Sequence, residues 1–142
     1  MDEPNKYCFT SELFNILPGE DEETNPYCFG KELADWVWKH MEGLGYLNSE
    51  VIPEDWGWCV SCTSDPYHIF VACGCFVDYE KEYDPQIPPK GSEVIWQCFI
   101  GADIPLLRSP FKKFDRSKEV EIEKQLFNLL STTKEIMQVD EP

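Results

Sequence analysis

The chain has 142 residues, 42% of them apolar and 14% aromatic, with 27 acidic against 12 basic side chains and a formal net charge of −15. That length suits one domain, here an acidic one spanning residues 1–142, able to bury roughly two-thirds of its unfolded surface, and the apolar content argues against disorder. The charge sets a negative surface potential that repels nucleic acid and attracts basic proteins, so no nucleic-acid partner is expected and a cationic protein is.

In chain order, residues 5–17 carry an imperfect apolar alternation that predicts a first strand. Pro18 and Gly19 break it, and the four acids that follow, Glu20, Asp21, Glu22 and Glu23, cannot pack and are expected to be solvated. Thr24 or Asn25 can cap a helix with Pro26 at its first position, and carboxylates just before that point complement the positive end of the helix dipole. The acidic run therefore reads either as a loop leading into a helix or as a binding loop. A helix over 26–44 follows from Phe29, Leu33, Trp36, Val37, Met41 and Leu44, which share one face, and Gly43 and Gly45 end it. Lys31, Glu32, Asp35, Lys39 and Glu42 fall on its polar side.

Residues 46–52 predict a short strand entering a β-hairpin that occupies 51–77, turning at Ser64, Asp65 and Pro66. On its first strand Trp56, Trp58, Val60 and Cys62 share a face expected to meet the helix, while both faces of the second are apolar enough to be covered on two sides. A loop of about fifteen residues over 78–92 is long for a compact domain, hence functional or mobile, and adds Asp78, Glu80, Glu82 and Asp84. Val94, Trp96, Cys98 and Ile100 then form one face of a further strand over 93–102. The only basic stretch, 105–116, leads into a helix over 117–132 with Ile122, Leu126, Leu129 and Leu130 as its apolar stripe, and 136–139 can add an edge strand. The expected fold class is α+β, a largely antiparallel sheet of about five strands packed against two main helices.

Chemistry-bearing residues are few. Cys59 and Cys62 have the gap of a zinc knuckle, with Cys73 and Cys75 as an imaginable other half, but residues three apart on a strand point to opposite faces. The seven cysteines read as buried reduced thiols, and no metal or cofactor is expected. His40 lies near a helix C-terminus and His68 at a strand start, both ordinary positions, so no catalytic residue is assigned. The N-terminus shows no secretory signal and no run reaches the roughly 18 apolar residues of a membrane span, which predicts a cytoplasmic protein without membrane attachment.

The most distinctive pentapeptide is Glu54-Asp55-Trp56-Gly57-Trp58, two carboxylates ahead of two indoles. Aromatic residues rimmed by acids have the composition of a hot spot for a basic protein, and two core tryptophans after a polar turn have the same pattern. Together with residues 18–26, 30–36 and the wider stretch 53–59, this pattern resembles a group of uncharacterised small acidic bacterial proteins over most of the chain. In size, acidity and α+β pattern the chain is also similar to immunity proteins of bacterial toxin systems. That likeness implies a non-enzymatic inhibitor of a basic toxin or effector domain, and the net charge with the placement of acids in three loops makes the acids of 20–23, Glu54, Asp55 and Trp56, and the acids of 78–84 the expected contacts. The alternatives are an enzyme or small-ligand-binding protein with a pocket lined by Trp, Tyr and Cys, and a nucleic-acid mimic.

Overall fold

A computed structural model describes residues 5–46, 50–65, 67–78, 80–103 and 115–142. In chain order the elements are β1 (Tyr7–Ser11), α1 (Lys31–Gly43), β2 (Glu50–Glu54), β3 (Gly57–Thr63), β4 (His68–Phe76), β5 (Ile95–Asp103), α2 (Ser117–Thr132) and β6 (Ile136–Gln138), with 3-10 turns at Glu20–Glu22 and Gly91–Glu93. The strands form one sheet in the order β2-β3-β4-β5-β1-β6, antiparallel throughout. The class is the expected α+β, and the sixth strand is the short edge at 136–138. Of the basic stretch at 105–116, residues 105–114 lie outside the described residues.

Both helices pack on one face of the sheet. Leu33, Ala34, Val37 and Met41 of α1 and Ile122, Leu126 and Leu130 of α2 share a core with Phe9, Val60, Ile69, Val71, Cys73, Trp96 and Cys98. Trp96 is fully buried there and its indole N–H donates to the Gly91 carbonyl at 2.9 Å. Such burial of large apolar side chains supplies the main driving force for folding. Among the described residues no helix covers the opposite face, yet no residue of β4 is exposed: Ala72 and Gly74 are buried on that face, and His68, Phe70 and Phe76 are half-buried.

Three local expectations are corrected. Helix α1 begins at Lys31, not Pro26, because the chain turns through 24–28: the Thr24 hydroxyl donates to the Cys28 carbonyl at 2.8 Å, and Tyr27 takes a positive φ of 68°. Trp36 is only half-buried, packed edge-on against Phe14 at 5.5 Å and His40 at 4.5 Å, and Leu44 is 51% exposed. Trp56 is not on the helix-facing side of β3. It occupies the two-residue turn between β2 and β3, where Glu54 pairs with Gly57, and its ring stacks on Phe70 of the other face. Gly57 permits that turn: its φ is 152° and a Cβ there would lie 2.7 Å from the Cys73 carbonyl oxygen.

Candidate functional site

The predicted partner-binding residues gather at one end of the molecule. Three contacts tie their loops together. The Asn25 amide donates to the Asp55 carbonyl at 2.9 Å, joining the 19–27 loop to the β2–β3 turn. The Gly19 N–H donates to the Pro85 carbonyl at 3.2 Å, and the Tyr83 N–H donates to the Tyr27 hydroxyl at 3.3 Å with the two rings edge to face, joining the same loop to the 78–85 segment. Glu22, Glu23, Glu54, Asp55, Asp78, Glu80, Glu82 and Asp84 are exposed along this end, and Trp56 among them is 45% exposed. Asp78 and Asp84 also shape the loop, each carboxylate accepting the backbone N–H two residues on.

Glu20 does not belong to that surface, contrary to the expectation that 20–23 are all solvated. It is 5% exposed. One carboxylate oxygen accepts the Leu17 N–H at 2.7 Å, and the other accepts those of Gly30 and Lys31 at 3.0 and 3.1 Å. These last two open α1, and Gly30 has no side chain to cap them, so Glu20 satisfies the helix N-terminus from a distance. Asp21 is half-buried and accepts the Tyr27 N–H at 2.9 Å, which holds the turn ahead of the helix. Of the four consecutive acids, two build the helix start and two, Glu22 and Glu23, face solvent; Lys31 reaches Glu23 at 3.8 Å.

The open sheet face carries a second cluster, which the sequence reading passed over. Ser61 on β3, His68 at the start of β4 and Asp103 at the end of β5 lie in a line. The Ser61 hydroxyl is 3.0 Å from His68 Nε2, and His68 Nδ1 is 2.9 Å from an Asp103 carboxylate oxygen. Cross-strand pairing of His68 with Asp103, and a register shift between Ser61 and Thr63, bring the three together. From the imidazole a row of rings extends across the face: His68 to Phe70 at 5.2 Å, Phe70 to Trp56 at 6.2 Å, Trp56 to Phe99 at 6.5 Å. Gly101 lets Phe70 lie flat, since a Cβ there would come within 2.3 Å of the ring. The only sequence signal for this cluster was polar residues interrupting otherwise apolar strands; their convergence depends on strand register.

The thiols are chemically quiet. Burial, followed by the charge of Glu54, pushes Cys59 up to about 12, and burial pushes Cys62 up to about 12. Burial also raises Cys73, which lies 4.0 Å from Cys98, and Cys75. A thiol so raised is protonated at neutral pH and neither attacks nor ligates readily. Among the described residues no three His, Cys, Asp or Glu side chains are grouped to hold a metal ion, and no helix is long and apolar enough to cross a membrane. A cavity of about 560 Å³ at the end of α1 is lined by Tyr46, Cys62, Asp65, Lys118 and Glu121 among others, with no tryptophan in its wall.

Comparison with protein-family models, curated proteins and solved structures finds no match to this chain.

Proposed function

We propose that this chain is a binding protein that captures a basic protein, of the kind a toxin or effector domain presents, through its acidic end. The observation that carries this reading is the hydrogen-bonded convergence of three acidic loops on one surface, with Trp56 exposed within it. Loops held to one another keep their carboxylates in place before the partner arrives, which lowers the ordering cost of association. A field of one sign steers a basic partner towards that end, and an exposed indole at its edge supplies an apolar anchor. A cytoplasmic location belongs to the same proposal, because the seven cysteines are all free thiols, six of them buried.

The test is capture of a partner from the native host, followed by association kinetics against salt. Glu22 and Glu23 reversed to lysine, Asp55→Lys alone, and Glu80, Glu82 and Asp84 reversed to lysine are compared with the native chain. At least one set is expected to weaken binding tenfold or more, about 1.4 kcal/mol, with the difference shrinking as salt rises. A partner whose affinity ignores salt and all three reversals overturns the reading. Glu20 is left unchanged in every variant because it caps α1.

A further inference from the structure

We infer that Ser61, His68 and Asp103 form a nucleophile, base and positioning residue for acyl transfer from a neutral or cationic ester seated on the aromatic row of the open sheet face. This goes beyond the binding reading and departs from the non-enzymatic expectation; its reacting residues lie away from the acidic loops, and Trp56 alone is common to both. The acidic loops cluster where β3 begins and β4 ends, whereas Ser61, His68 and Asp103 stand towards the opposite end of those strands.

The geometry carries the inference. A carboxylate can only accept a hydrogen bond, so the contact of Asp103 with Nδ1 at 2.9 Å places the imidazole proton on that nitrogen. In the neutral imidazole Nε2 then has its lone pair towards the Ser61 hydroxyl at 3.0 Å, the arrangement in which imidazole takes a proton from an attacking alcohol. Two ordered partners on one imidazole fix its tautomer and its orientation together. The three residues come from three adjacent strands of a paired sheet, a more rigid support than a loop. Ser61 and His68 are half-buried and Asp103 is exposed, so a substrate can reach the serine from the solvent side.

The row of Phe70, Trp56 and Phe99 begins at the imidazole, with His68 and Phe70 inclined at 29° and Phe70 and Trp56 at 26°. Trp56 and Phe99 are tilted at 37° and the Lys6 ammonium lies 5.9 Å over Phe99, so the part of the row nearest the imidazole, Phe70 and Trp56, supplies the apolar surface that suits an aryl or extended alkyl group on one side of the ester. The net charge of −15 disfavours anionic esters. In the first step the Ser61 oxygen bonds to the carbonyl carbon while its proton passes to Nε2 of His68. The carbon–oxygen bond to the leaving alcohol then breaks, and that oxygen takes the proton from His68. Water attacks the acyl-serine, giving its proton to His68, which returns it to Ser61 as the carboxylic acid departs. Ester and water become acid and alcohol, with no other reactant.

The experiment uses the full chain with two probes, a neutral alkyl fluorophosphonate and p-nitrophenyl butyrate, whose good leaving groups make the nucleophile the limiting feature. Intact mass and peptide mapping are expected to find one phosphonyl group, on Ser61, and butyrate turnover is expected to open with a burst. Ser61→Ala should abolish the adduct, and His68→Ala should slow its formation by a hundredfold or more, the scale of general-base catalysis. Asp103→Asn should slow it at least tenfold, with Asp103→Glu restoring part of the rate, while circular dichroism and thermal unfolding show all four variants folded. A native chain that takes no label, a label on another residue, or labelling of Ser61 that is as fast in folded His68→Ala overturns the inference. A variant that fails to fold is replaced by Ser61→Val or Ser61→Gly, neither of which carries a hydroxyl, or by His68→Gln, read against the same expectations.

Discussion

Trp96 and Trp56 lie against opposite faces of the same sheet. Trp96 is fully buried beneath the helices, its N–H held by the Gly91 carbonyl and its ring against Phe14 at 5.8 Å. Trp56 lies 45% exposed on the uncovered face, with Phe70 and Phe99 as its ring neighbours. The covered face is continuous apolar surface and holds the fold together. The open face mixes rings with Ser61, His68 and Asp103. The same residue type is therefore part of the core on one side of the sheet and left partly exposed on the other.

The largest effect that would test this division is Trp96→Ala, expected to cost about 3–5 kcal/mol in denaturant unfolding, because it removes a buried aromatic and leaves a cavity. An equal loss for Trp56→Ala would erase the distinction between the faces. Next comes Glu20→Ala, which strips the acceptor from three backbone N–H groups and is expected to cost about 1–3 kcal/mol, while Glu22→Ala stays within about 0.5 kcal/mol. Should the two behave alike, Glu20 would be as solvated as its neighbours. Trp56→Ala itself is expected to lower stability by about 0.5–1.5 kcal/mol through lost ring contacts, measured in the same unfolding series.

The smallest expected effect concerns acid. Burial opposes the charge on Glu119, yet hydrogen bonds from Arg116, at 2.7 and 2.9 Å, and from Tyr67, together with the Arg116 charge, hold its carboxyl below the usual range. A group whose folded-state pKa is depressed contributes stability above its unfolded value and loses it as pH falls through the folded one. Stability should thus decline less steeply on the acid side in Glu119→Gln than in the native chain, read from denaturant midpoints below pH 5. Identical acid limbs would show that this pair at the start of α2 does nothing for stability. Tyr67, pushed up to about 12 by burial and by Glu119, stays a hydrogen-bond donor throughout that window.

By itself the sequence determined the fold class, the buried stripe Leu33, Val37 and Met41, the stripe Ile122, Leu126 and Leu130, and the inward set Val94, Trp96, Cys98 and Ile100. These rest on local periodicity, and a helix or strand must turn its apolar residues to one side whatever the rest of the chain does. Tertiary structure alone decided the rest. Glu20 differs from Glu22 in meeting the N–H groups of Leu17, Gly30 and Lys31, the last two ten and eleven residues on. Trp56 left the face of Trp58 because the β2–β3 turn ends at Gly57 rather than continuing the strand's alternation. Ser61, His68 and Asp103 share no sequence spacing that announces them. Their 3.0 and 2.9 Å contacts exist because strand register sets residues distant in the chain side by side, and register is a property of the assembled sheet.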